Sequence, residues 1–184
     1  MSNLHTVEKY LSKGDLSMEI RQIIERHRSV SRDTYEDIFS NQRFIDVLIN
    51  DYKEHGNLII AYDFDDTVEP QRPESKSCEL VIDLLRLCSQ LGFTMICFTA
   101  RTEEKDIEMI KQTCSELGIK LDYINEDCDA IKQKWNFEYI HKIFYNVFLD
   151  DRAGLRQAYE VLWGFIDWFL EQDINSIDSR KGGY

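Results

Sequence analysis

Five consecutive apolar residues, Leu58-Ile59-Ile60-Ala61-Tyr62, run straight into Asp63-Phe64-Asp65-Asp66. An unbroken apolar run of that length, with no alternation, reads as a strand buried on both faces, which is the setting of an inner parallel strand. Further strands are expected over 93–98 and 144–149, with a shorter one around 121–124. Amphipathic helices separate them. One is expected over 78–91, with Leu80, Val81, Leu84, Leu85 and Cys88 inward. A second runs over about 103–117, with Ile107, Ile110, Cys114 and Leu117 inward. Two helix ends resemble each other, Cys88-Ser89-Gln90-Leu91-Gly92-Phe93 and Cys114-Ser115-Glu116-Leu117-Gly118-Ile119. Each puts glycine where a left-handed cap residue is wanted, with an apolar residue next. Repeated strand–helix–glycine–strand units imply right-handed crossovers and a parallel sheet.

A long helix is expected over roughly 153–171, with Leu155, Tyr159, Leu162, Trp163, Ile166 and Phe169 inward; the polar last dozen residues are expected to fray. Residues 125–141 hold one or two short helical turns at most. Ahead of the sheet, residues 1–56 read as helical: Leu4, Val7 and Leu11 share a face, as do Leu16, Ile20, Ile23 and Ile24, and then Phe44, Val47, Leu48 and Tyr52. The expected architecture is α/β: a three-layer, Rossmann-like domain with a central parallel sheet over 57–184, preceded by a helical extension over 1–56 that could close over the site as a lid.

Composition limits the partners. The net charge is −12, so extended nucleic-acid binding is disfavoured and a small phosphorylated molecule fits better. The five cysteines (78, 88, 97, 114 and 128) include no CxxC pair, and those at 88, 97 and 114 sit at apolar positions. That suits a reducing, cytoplasmic setting. No signal-like apolar segment opens the chain, and the most apolar stretch, 161–170, is too short for a membrane span and carries Asp167. The oligomeric state is not legible.

Ligands of open parallel sheets sit beyond the carboxyl ends of the strands. There the sequence places Asp63-Phe64-Asp65-Asp66-Thr67, then Thr99-Ala100-Arg101, then Asp150-Asp151-Arg152. Apolar strands that end in paired carboxylates need a neutralising partner, and oxygen donors suit magnesium. The residues point to a magnesium site facing a phosphate. One carboxylate could attack phosphorus and form an aspartyl-phosphate. A second, two residues on, could protonate the leaving oxygen and then activate water. Hydroxyl and cationic donors would hold the non-bridging oxygens.

Tyr62-Asp63-Phe64-Asp65-Asp66-Thr67-Val68 resembles the first motif of the haloacid dehalogenase (HAD) superfamily, Phe98-Thr99 its second, and Phe148-Leu149-Asp150-Asp151 its fourth, in the right order. The resemblance implies a phosphatase with Asp63 as nucleophile and metal ligand, and Asp65 as general acid and base that also binds metal through its carbonyl. It implies Thr99, Ala100 and Arg101 as phosphate binders, and Asp150 and Asp151 as holders of Mg2+. For the third-motif lysine, Lys142 is preferred over Lys132 and Lys134. Asp66 departs from the pattern, where glycine is common. Arg101 and Asp150-Asp151-Arg152 are similar to polynucleotide 3′-phosphatase domains, and the latter also to deoxyribonucleotidases, so a nucleotide or a nucleic-acid end is the expected substrate. The gaps between motifs leave no room for a cap domain. The alternatives are a sugar-phosphate or phosphoprotein phosphatase, and a magnesium-binding regulatory module without turnover. The four histidines are scattered and read as structural or surface residues.

Overall fold

Strands β1 (Ile59–Asp63), β2 (Thr94–Phe98), β3 (Tyr123–Ile124) and β4 (Val147–Leu149) form one sheet in the order β3-β2-β1-β4, with every pairing parallel. The apolar run therefore does become an inner strand, and Leu58, Ile60, Ala61 and Tyr62 are wholly buried. This is a computed structural model, and it describes residues 40–71, 78–134 and 143–181. The helices are α1 (Asn41–His55), α2 (Glu79–Gln90), α3 (Glu104–Leu117), α4 (Asp129–Lys134) and α5 (Leu155–Lys181).

The chain divides into two compact units, Met1–Arg43 and Phe44–Tyr184. The helices expected over 1–39 lie outside the described residues. The sheet belongs to the second unit, and the helix before the sheet joins its core. Leu48 of α1 is buried, and Tyr52 meets Phe93, Phe165 and Phe169 edge-on at 5.2 to 6.3 Å between ring centres. Burying one such ring stabilises the fold by about 1.5–3 kcal/mol.

Alternation along the strands divides the core in two. Ile60, Tyr62, Met95, Cys97, Val147 and Leu149 face a large cluster with Leu48, Leu84, Leu85, Ile110, Cys114, Leu162, Phe165 and Ile166. Ile59, Ala61 and Ile96 face a smaller one with Cys128, flanked by Tyr123, Ile131, Ile143, Tyr145 and Phe148. Both glycine ends cap as expected. Gly92 and Gly118 have φ of 84° and 70°, and Phe93 and Ile119 donate back to the carbonyls of Cys88 and Cys114 at 3.2 and 2.9 Å. Gly164 has another reason to be glycine: a Cβ there would meet Ile45 Cδ1 at 2.5 Å, so α1 sits close against α5.

Four expectations are corrected. Leu80 and Trp163 are 70% and 41% exposed instead of inward, since Val81, Leu84 and Leu85, and Leu162, Phe165 and Ile166, already fill the buried stripes. Helix α5 runs on to Lys181, past the expected end near 171, because no proline or glycine interrupts the chain between Gly164 and Gly182. The edge strands are shorter than expected, for one shared reason. At β4, Asn146 donates its N–H to Ile59 O (2.8 Å) while its side-chain Oδ1 accepts from Ile59 N (2.8 Å). At β3, Asp122 does the same to Met95, at 3.0 and 2.9 Å. A side-chain oxygen thus replaces the backbone carbonyl, and the regular ladder begins one residue later. All five cysteines are free. No helix among the described residues is long and apolar enough to cross a membrane.

Candidate active site

From β1 the chain builds outward to β2 and β3 on one side, then returns to lay β4 on the other. The crevice between β1 and β4 is therefore a topological switch point, where open α/β sheets bind ligands beyond the strand ends. Asp63 closes β1 in register with Phe98, one residue past the Tyr62–Leu149 pair, so Asp63 and Asp150 end neighbouring strands at one level. Asp63 is half-buried. Its carboxyl is pushed up to about 6, first by desolvation, then by the charges of Asp150, Asp65 and Asp151; a hydrogen bond from the Phe64 backbone opposes the shift.

The segment after β1 closes on itself. Val68 and Glu69 both donate to Phe64 O at 3.0 Å, and Asp66 N donates to Glu69 O at 2.8 Å. Asp66 takes φ 62°, and its carboxylate accepts from Gln71 N at 2.9 Å. Aspartate is one of the few side chains that tolerate this left-handed backbone, which accounts for it where glycine is common. Thr67, fully buried, accepts from Asp151 N at 3.0 Å and ties the β1 segment to the end of β4. Asp150 turns its own loop, accepting from Arg152 N at 2.7 Å on Oδ1 and from Ala153 N at 3.1 Å on its carbonyl.

Thr99 is buried, and its hydroxyl accepts from Arg101 N at 3.1 Å. Asn125, beyond β3, holds the Thr99 peptide from both sides: Oδ1 accepts from Thr99 N at 2.8 Å, and Nδ2 donates to Thr99 O at 2.7 Å. Asn125 is itself left-handed, at φ 53°. The Arg101 guanidinium reaches across to Asp65, with Nε at 3.1 Å from both carboxylate oxygens and Nη2 at 2.5 Å from one, and its carbon stands 5.7 Å from the centre of the Phe64 ring. That hydrogen bond raises the Arg101 pKa.

Asp63, Asp65, Thr99, Arg101, Asp150 and Asp151 thus all lie at the carboxyl end of β1, β2 and β4. Ala100 is exposed beside them. Arg152 stands 3.9 Å from Asp151 and is 78% exposed. Lys142 lies outside the described residues, and Lys134 ends α4. Lys132 is bound to Glu126 at 2.7 Å and lies 5.7 Å over the Tyr123 ring. Sequence reasoning missed Asn125 and gave Thr67 no role. A hydroxyl inside the acidic loop and an asparagine just past an expected strand were the available signals.

The donor set is all oxygen. Among the described residues no three His, Cys, Asp or Glu side chains are gathered closely enough to grip a metal ion. Magnesium needs less than that, since it keeps several waters and takes one or two carboxylates. Asp63 and Asp150, two like charges crowded at one level, fit that demand.

No family model matches the chain, and no curated protein matches it. Among solved structures, one described as "Structure of the conserved protein coded by locus from Bacteroides thetaiotaomicron" is 26% identical over 53% of this chain and 78% of that one, with a TM-score of 0.41. A likeness at that score decides neither fold nor activity.

Proposed function

We propose that this chain is a magnesium-dependent phosphomonoester hydrolase of the HAD kind, working through an aspartyl-phosphate on Asp63. The observation that carries the reading is the meeting of Asp63 and Asp150 at the switch point, with Thr99 and Arg101 beside them. Asp63 attacks phosphorus in line with the leaving alcohol, the P–O ester bond breaks, and Asp65 gives the alcohol its proton. Water then attacks the acyl phosphate, Asp65 takes its proton, and Asp63 is restored. The Thr99 hydroxyl already accepts from Arg101 N, so its own hydrogen is left to donate to a phosphoryl oxygen. Magnesium, held by Asp63, Asp150 and the Asp65 carbonyl with Asp151 in support, would offset the charge that the phosphate brings. A nucleotide is the favoured substrate, since a net charge of −12 opposes a long polyanion.

Before substrate arrives, Arg101 is committed to Asp65; an entering phosphate must draw the guanidinium away and leave Asp65 free to handle protons. Arg101→Gln is expected to raise KM about tenfold, the equivalent of losing about 1.4 kcal/mol of binding. An unchanged KM in steady-state assays would remove Arg101 from the phosphate site.

One observation favours a second reading, a magnesium-binding module without turnover: Asp65 is already occupied by an ion pair. Phosphate release from p-nitrophenyl phosphate and a panel of nucleotides, with magnesium and with a chelator, separates the two. Magnesium-dependent release supports the hydrolase. A folded protein that binds magnesium and releases nothing supports the module.

A further inference from the structure

Phe98 is the last residue of a buried parallel sheet's second strand, and yet it is 39% exposed. Its register partner is Asp63, so the two share a face on neighbouring strands about 4.8 Å apart. On the same face Ala61 is paired with Phe148 of β4. Alanine has no bulk to separate the strands flanking it, and the rings of Phe98 and Phe148 meet across it, T-shaped, with centres 5.7 Å apart; Tyr145 continues the row at 5.3 Å from Phe148. The result is an aromatic floor that ends, with its outermost ring open to solvent, directly beside the proposed nucleophile. The sheet's own packing does not require this: Ala61 and Ile96 beneath are already buried, and a polar residue at 98 would be better solvated.

We propose that Phe98 is a stacking platform that selects phosphate monoesters whose leaving group carries a planar aromatic ring. The inference rests on the reading of Asp63 and Thr99 as a phosphate site and adds what lies next to the phosphate. Stacking on an aromatic side chain recognises any flat π-face without reading its edges, so it favours nucleosides and aryl alcohols over sugars and glycerol. The T-shaped contact with Phe148 restricts the platform ring, so little freedom is lost when a ligand stacks on it.

The test is steady-state phosphate release by the full chain on nucleoside monophosphates, phosphotyrosine and glycerol 2-phosphate, for wild type, Phe98→Ala and Phe98→Trp. Phe98→Ala is expected to raise KM roughly tenfold for the aromatic esters, to leave glycerol 2-phosphate within about twofold, and to leave kcat little changed; Phe98→Trp restores the low KM. Nucleotides favoured over phosphotyrosine identify a nucleobase as the ring, and the reverse order identifies a phenol. Equal losses on all three esters, or no loss on any, overturn the platform. A wild type that turns over none of them overturns the phosphatase reading, and the platform is then read by calorimetric titration with a nucleoside monophosphate. Binding weakened about tenfold by Phe98→Ala supports it there, and equal binding or no binding overturns it.

Discussion

Asp63→Asn is expected to lower phosphate release by about a thousandfold or more while making the metal-free fold more stable at neutral pH. The first effect follows from replacing the proposed nucleophile by an amide. The second follows from the direction of the Asp63 shift, upward to about 6 from the ordinary carboxylate value of 3.8. The folded state holds this proton more tightly than the unfolded chain does, so ionising Asp63 opposes folding. The loss begins as pH rises past 3.8 and is complete above about 6. Asparagine carries no charge at either end of that range. Asp63 is only partly buried and solvent screens its neighbours, so the gain is about 1 kcal/mol and not the larger figure the bare shift implies. Urea melts in chelator at about pH 4 and about pH 7.5 check it, with a gain expected only at the higher value. A variant equally stable to wild type at both, or less stable at the higher one, would show that neither burial nor the neighbouring acids oppose the ionisation of Asp63.

Asn125→Ala is expected to lower kcat about a hundredfold and to reduce stability by about 2 kcal/mol. Both polar groups of the Thr99 peptide depend on the Asn125 amide. Without it, a buried N–H and a buried carbonyl lose their partners, and the hydroxyl proposed to face the phosphate loses its fixed backbone. The left-handed φ at this position would also strain alanine. Asn125→Gly separates the two causes, because glycine relieves the backbone and still lacks the amide; it should lose as much activity as alanine and less stability. Steady-state rates beside urea midpoints for the pair decide the matter. Full activity in the glycine variant would mean that Thr99 is held by the strand alone.

The strands and helices that form the centre of the fold were legible because burial leaves a plain pattern. The run at 58–62, the stripes of α2 and α3 and the two glycine caps each have a single physical reading. The acids that end β1 and β4 were legible once the sheet was known to be parallel, because topology alone brings those strand ends together. What escaped depends on side chains that imitate the peptide group. Asp122 and Asn146 each use an Oδ atom to accept from a neighbouring strand's N–H where a backbone carbonyl would otherwise stand, and Asn125 does so for the N–H of Thr99, just past β2. Nothing in hydrophobic periodicity marks such residues, so the pattern overstates the length of β3 and β4 and carries no sign of the clamp on Thr99. The Arg101–Asp65 pair escaped for another reason: 36 positions of chain separate them, and only the fold brings them within reach.

The order β3-β2-β1-β4 also bears on how the molecule comes into being during translation. Ile60 pairs with Val147, so β1, β2 and β3 are all synthesised before the strand that completes the crevice. Until then β1 has no strand on that side, and neither Asp150 nor Asp151 stands opposite its acids. A nascent chain stopped before β4 would lack Asp150 and Asp151 entirely, and with them half of the acidic site. The two halves of the crevice thus meet only after β4 has been added to the chain, and products of synthesis that stop short of it carry Asp63 without the acids of the neighbouring strand end.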